Sequence, residues 1–128
     1  MRLLLDTVAF IWLVDGNTRL VESARAAITD PANELYLSAA SAWEIAIKYE
    51  LGRLRLRVPP HEYVVEQRRL HRINSLPITE ESTLQVGKLP GLHRDPFDRI
   101  LVAQAIVEGL TIVTSDRLVS MYPIRVIW

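Results

Sequence analysis

Short apolar runs alternate along the chain with segments of helical periodicity. The first run, Leu3 to Leu5, ends at Asp6, and apolar positions with helical spacing follow it through Val14. Further apolar runs predict strands over residues 35–38, 73–78, 111–114 and 124–127, the last at an edge of the sheet. Strands that alternate with helices pair in parallel through right-handed crossovers. The pattern therefore predicts an α/β fold with an open parallel β-sheet flanked by helices.

Polar residues and prolines predict where the helices begin. Thr18 is expected to cap a helix that runs to about Ile28. Ser41 and Glu44 match the S-x-x-E capping box, so one interpretation of Glu44 is that it only closes the start of the helix after the second strand. Two more helices are expected, one from the prolines at positions 59 and 60 to about residue 70 and a short one from Thr79.

The stretch from His93 to Ala105 carries the strongest local signal. Asp95 followed by Pro96 predicts a helix start, because the carboxylate accepts from a free backbone N–H and proline needs no partner at the first helical position. The helix is apolar on nearly every side from position 100 to position 107, so we expect it to be buried. Asp98 falls in its first turn, where the helix dipole favours negative charge. For this segment alone, capping is the simplest role for both acids.

Composition narrows the class of protein. The chain has 128 residues, of which 49% are hydrophobic, and residues 1–128 are expected to form a single domain. There is no cysteine, and no apolar run reaches the roughly 20 residues that span a bilayer. We therefore expect a cytoplasmic protein with no membrane contact. Since 15 basic and 15 acidic residues balance, nucleic acid cannot be bound by bulk charge, and any such site must be local.

Four acids fall where the predicted topology brings chain segments together. Asp6 and Asp116 each follow a strand directly, Glu44 lies shortly after the second strand, and Asp98 opens the helix before the fourth. In open parallel sheets, ligands bind at the edge formed by the carboxyl ends of the strands. Neighbouring carboxylates repel by about 4 kcal/mol per pair at an effective dielectric of about 20, so a cluster indicates a bound cation or raised pKa values.

The donor set favours a hard metal ion. A site of oxygen ligands, without histidine or cysteine, suits Mg²⁺ or Mn²⁺ rather than zinc. Such ions polarise a phosphate and generate hydroxide, which is how metal-dependent nucleases cut phosphodiesters. The acids therefore indicate a divalent-cation site that is compatible with phosphodiester cleavage.

Four motifs, in order and over essentially the whole chain, resemble the PIN domain and, more narrowly, the VapC-type toxins of bacterial toxin–antitoxin pairs. The third motif is the most specific. The motifs are Leu3-Leu4-Leu5-Asp6-Thr7, Ser38-x-x-Ser41-x-Trp43-Glu44-Ile45-x-Ile47-Lys48, His93-Arg94-Asp95-Pro96-Phe97-Asp98-Arg99-x-Leu101-x-Ala103-Gln104-Ala105 and Thr114-x-Asp116.

The resemblance implies a three-layer α/β/α PIN-like fold and a catalytic site of four carboxylates. By this resemblance, the metal, Mg²⁺ or Mn²⁺, would be held most directly by the three aspartates, with Glu44 completing the cluster or orienting water. Thr7 and Ser115 would support carboxylates or waters, and Asp95 would be structural. The implied catalytic set is Asp6, Glu44, Asp98 and Asp116. Many relatives have histidine where this chain has Val8. This departure removes support for a helper role at that position, but it leaves the metal-binding acids intact.

The same resemblance implies an endoribonuclease toxin with an RNA substrate, a cognate antitoxin encoded beside it, and a homodimer. Three arginines beside the acids are candidate contacts to the RNA backbone, although salt bridges to nearby carboxylates would explain them equally well. These arginines are Arg94, Arg99 and Arg117.

Two other classes remain as alternatives. A PIN-like module that binds or regulates without turnover is the first, although it would be expected to lose acids that this chain retains. An aspartyl phosphatase or a phosphoacceptor receiver is the second. The D-x-D start of such phosphatases is missing, because the chain reads Asp6-Thr7-Val8, and no lysine follows Lys88 to serve a receiver. Neither the P-loop nor the dinucleotide-binding glycine motif is present.

Overall fold

The computed structural model describes all residues from Met1 to Trp128, and its core is a five-stranded, fully parallel sheet. The strand order is β3-β2-β1-β4-β5, with β1 in the centre. The strands are β1 (Arg2–Leu5), β2 (Glu34–Ser38), β3 (Ile73–Leu76), β4 (Thr111–Val113) and β5 (Val126–Ile127). The helices are α1 (Thr7–Asp15), α2 (Glu22–Thr29), α3 (Ala39–Glu50), α4 (Pro60–Leu70), α5 (Glu80–Val86) and α6 (Pro96–Glu108), followed by a short 3₁₀ turn (Val119–Met121).

The two faces of the sheet carry separate apolar cores, which makes the fold three layers deep. Successive side chains of a strand point to opposite faces. Leu3 and Leu5 of β1 accordingly join a core with α1 to α4, whereas Leu4 joins a second core built largely on α6. All three leucines are fully buried. The predicted α/β fold with an open parallel sheet and helices on both faces is confirmed.

The predicted start of α2 was wrong, and the capping interpretation of Glu44 does not hold. Helix α2 begins at Glu22 after Val21, which provides no side-chain cap, because Asn17 first forms a turn with Arg19 and Leu20. Helix α3 is capped by Ser38, whose hydroxyl accepts from the N–H of residue 40. The capping box at positions 41 and 44 therefore does not form, since β2 passes directly into α3 and residue 44 already lies in the second turn.

Helix α6 matches its prediction closely. Asp95 caps it, accepting from the N–H groups of Phe97 and Asp98 at 2.8 and 3.4 Å, and Pro96 takes the first position. Residues 101–105 are buried, including Gln104, whose amide donates to the Pro77 carbonyl. None of the helices has the length and apolarity required to cross a membrane.

Candidate active site

An open pocket of about 300 Å³ lies at the carboxyl edge of the sheet, and all four predicted acids line it. Asp6 follows β1, Asp116 lies just beyond β4, and the remaining two acids project from the N-terminal halves of α3 and α6. The residues lining the pocket are Asp6, Thr7, Val8, Glu44, Lys48, Asp95, Asp98, Ser115 and Asp116. Chain positions that are more than 100 residues apart thus meet because parallel strands end at one edge.

Asp6 is buried and held on both oxygens. It is the N-cap of α1, where Oδ1 accepts from the N–H of Ala9 at 2.6 Å, and Oδ2 accepts from the hydroxyl of Thr114. Burial raises the pKa of Asp6 to about 6, although these two hydrogen bonds act to lower it. Thr114, which sequence reasoning did not assign to the site, also accepts from the N–H of Asp116 at 3.0 Å and so links two of the acids.

Glu44 is also buried, and each of its oxygens has a partner. The hydroxyl of Thr7 donates to Oε1 at 2.6 Å, and the ammonium of Lys48 lies 2.7 Å from Oε2. Ser41, one turn before Glu44 on α3, places its hydroxyl 2.9 Å from that of Thr7. Thr7 thus contacts a predicted catalytic carboxylate, whereas Lys48 was missed as a site residue. Its position one helical turn after Glu44 was the available signal.

His93 joins the remaining two acids. Its Nε2 lies 3.1 Å from Oδ2 of Asp98 and 2.8 Å from Oδ2 of Asp116. The sequence pattern predicts acids alone here, whereas the structure brings an imidazole against two of them, with ligand atoms of the three residues within 4.8 Å of one another. The only signal for His93 was its place at the head of the third motif.

The pKa values of the two acids beside His93 are shifted in opposite directions. Burial raises the pKa of Asp98 to about 7, and the nearby charge of Asp95 adds to the rise. Burial also acts to raise the pKa of Asp116, but hydrogen bonds from His93 and from the N–H groups of Leu118 and Val119 outweigh it, so that the pKa is lowered. The three aspartates of the pocket thus differ, because burial raises the pKa of Asp6 and Asp98, whereas hydrogen bonds lower that of Asp116.

The three candidate arginines occupy different environments. Arg94 and Arg117 are exposed beside the pocket, and the Lys and Arg ion pairs of the structure involve neither of them. Arg99 is half-buried, and its guanidinium donates to the carbonyls of Val86, Pro90 and His93 and to the Tyr122 hydroxyl. Arg99 therefore holds the segment between α5 and α6 in place. The exposed Ser115 lines the pocket, but the hydroxyl that contacts a carboxylate is that of its neighbour Thr114.

Comparison with known proteins assigns the chain to a family. The profile of the PIN domain matches residues 3–122, and the chain belongs to the PIN-domain family. Among curated proteins, it is 32% identical over 115 residues to ribonuclease VapC22 of Mycobacterium tuberculosis, covering 89% of this chain and 86% of the relative. A more local match, 44% identical over 59 residues, relates it to ribonuclease VapC16 of the same organism and covers 46% of this chain but only 40% of that relative.

A solved structure shows the same fold. The chain superposes with a TM-score of 0.70 on a chain of the VapBC2 complex from Rickettsia felis, which was crystallised bound to a DNA fragment from its promoter. The two chains are 17% identical, and the match covers 98% of this chain and 97% of the other. The sequence resemblance to VapC-type PIN proteins is confirmed by these comparisons.

Proposed function

We propose that this protein is a metal-dependent endoribonuclease that acts as the toxin of a toxin–antitoxin pair. The observation that supports this most directly is the pocket itself, in which four acids from separate parts of the chain face one space. The curated relatives are named ribonucleases, and the best-covered one matches most of both chains. An RNA phosphodiester is therefore the substrate class that we assign.

The donor set fits a divalent cation. Three carboxylates with few positive neighbours and raised pKa values on two of them have the chemistry of a site completed by a hard cation. Asp6, Asp98 and Asp116 would hold Mg²⁺ or Mn²⁺, which when bound would polarise the scissile phosphate and lower the pKa of a bound water.

Other residues of the chain orient the reacting groups. Thr7 and Lys48 together fix the carboxylate of Glu44, so that it can direct a water toward the phosphate rather than move freely. The hydroxyl of Thr114 likewise fixes the orientation of the Asp6 carboxylate. Ser115 lines the pocket and would support a carboxylate or a water there. Arg94 and Arg117, which are exposed and adjoin pocket residues in the sequence, would contact RNA phosphates.

We further propose a cognate antitoxin as the protein partner, and a homodimer as the functional unit. The similarity in fold to a chain of a VapBC complex supports the first. An antitoxin that covers the pocket with a basic side chain would neutralise the same carboxylates that a metal ion neutralises. The antitoxin would therefore inhibit the ribonuclease by taking the place of the metal ion beside these carboxylates.

The test is cleavage of labelled single-stranded RNA by the purified, partner-free chain. We expect cleavage with Mg²⁺ or Mn²⁺, none with EDTA, and none by Asp6→Asn or Asp98→Asn with the fold retained. Glu50→Gln, which changes an exposed acid at the far end of α3, is the matched control and should cleave normally. Full cleavage by either site variant would contradict the proposal. RNA binding without cleavage by the wild type would indicate a binding module instead.

A further inference from the structure

His93 contacts two acids of the site, which different elements carry, through a single ring nitrogen. Its side chain is only 12% exposed, and its Nε2 contacts Asp98, on the first turn of α6, and Asp116, in the segment after β4. The backbone around it is fixed, because its N–H donates to the Tyr122 hydroxyl at 2.9 Å and its carbonyl accepts from Arg99 at 3.2 Å. The backbone contacts and the ring contacts together therefore fix the position of the imidazole.

The hydrogen-bond geometry of the ring indicates which nitrogen carries the proton. The backbone N–H of Asp95 points to Nδ1 at 3.1 Å, and since an N–H only donates, Nδ1 must be the acceptor. Since a neutral imidazole carries one proton, that proton is then on Nε2, which faces Oδ2 of Asp98 and Oδ2 of Asp116. A nitrogen that carries a proton has no lone pair for a metal ion. In this arrangement His93 is a hydrogen-bond donor to the acids and not a metal ligand.

We propose that His93 is a positioning residue, whose Nε2–H ties the carboxylates of Asp98 and Asp116 together at the spacing that one divalent cation requires. The inference rests on the proposed metal-dependent function. Outer groups that hydrogen-bond metal ligands fix the orientation of those ligands, and their loss typically weakens metal binding by about 10- to 100-fold. His93 performs this task for two ligands at once, which couples the start of α6 to the carboxyl end of β4.

Two variants separate the role of Nδ1 from the role of Nε2. Asparagine places its oxygen near the position of Nδ1, so His93→Asn keeps the acceptor for Asp95 and loses the donor to the acids. Glutamine places an amide N–H near the position of Nε2, so His93→Gln keeps the donor and loses the acceptor. His61→Gln, at an exposed histidine of α4, is the control. Thermal unfolding of each variant shows whether it is folded.

The measurement is the affinity of the full chain for Mn²⁺ by titration calorimetry, with the electron spin-echo spectrum of the bound ion. We expect His93→Asn to weaken Mn²⁺ binding by about 10- to 100-fold, and His93→Gln and His61→Gln to stay within about threefold of the wild type. The wild-type spectrum should lack coupling to a directly bonded ¹⁴N nucleus.

Each other outcome has a definite meaning. Equal weakening by Asn and Gln, together with ¹⁴N coupling in the wild type, would show that His93 is a ligand and overturn the inference. Normal Mn²⁺ affinity in His93→Asn would show a role confined to the backbone at Asp95 and would also overturn it. A wild-type chain that binds no Mn²⁺ would overturn the inference together with the proposed metal dependence, whereas the first two results leave that dependence intact.

Discussion

Replacing Asp98 with asparagine is expected to stabilise the metal-free protein at alkaline pH. The pKa of Asp98 rises from 3.8 to about 7, first because of burial and then because of nearby acids. An acid with a raised pKa in the folded state binds its proton more tightly there than in the unfolded chain. The folded state therefore loses stability as the pH rises from about 4 to about 7, and the loss is complete above that range.

The size of the expected stabilisation follows from the pKa shift of Asp98. About three pKa units correspond to about 4 kcal/mol at about 1.4 kcal/mol per unit. The Asp98 side chain is 23% exposed, so solvent screens part of this penalty, and we expect about 2 kcal/mol. For a chain of 128 residues, that is an increase in Tm of about 7 °C. Asparagine still accepts from His93 and removes only the charge.

The assay is thermal unfolding of the wild type and Asp98→Asn in EDTA, from about pH 4 to about pH 8. The two curves should coincide near pH 4 and separate progressively toward pH 8, with the variant more stable. Glu50→Gln, which changes an exposed acid at the end of α3, should follow the wild type within about 0.5 kcal/mol. A variant that is less stable than the wild type near pH 8, or a difference that does not depend on pH, would refute the reasoning.

Two further predictions concern the scaffold that carries the site. Asp95→Ala removes the cap of α6 and should cost about 1 kcal/mol, measured by urea unfolding; no loss would show that Pro96 alone suffices to start the helix. Phe10→Ala removes a fully buried ring that packs edge-on against Tyr63 and should cost about 3–5 kcal/mol by the same method; a cost below about 1 kcal/mol would mean that the core on this face can close around the gap.

The parts of the fold that could be predicted from the sequence are those governed by local chemistry. Asp95 and Pro96 mark the start of α6 because capping and proline geometry act within a few residues. The apolar runs of β1 and β4 reveal central strands because both faces of such strands are covered. The convergence of the acids followed from topology, since parallel strands end at a common edge.

The errors arose where tertiary contacts override local patterns. Ser41 has the spacing of a capping residue but lies within α3, since Ser38 caps the helix at the strand end, and its hydroxyl meets Thr7 instead. His93 reaches Asp116 across 23 positions, a pairing that depends on the path of the segment before α6. Thr114 reaches Asp6 across 108 positions through the pairing of β1 with β4. Such contacts leave no periodic signal in the sequence.

We propose that three aspartates from distant parts of the chain together hold a divalent cation. The most direct measurement is the anomalous difference density of crystals of the full chain grown with Mn²⁺. We expect a peak within coordination distance, about 2.0–2.4 Å, of carboxylate oxygens of Asp6, Asp98 and Asp116. Density confined to other sites in a crystal where this pocket is open to solvent would contradict it.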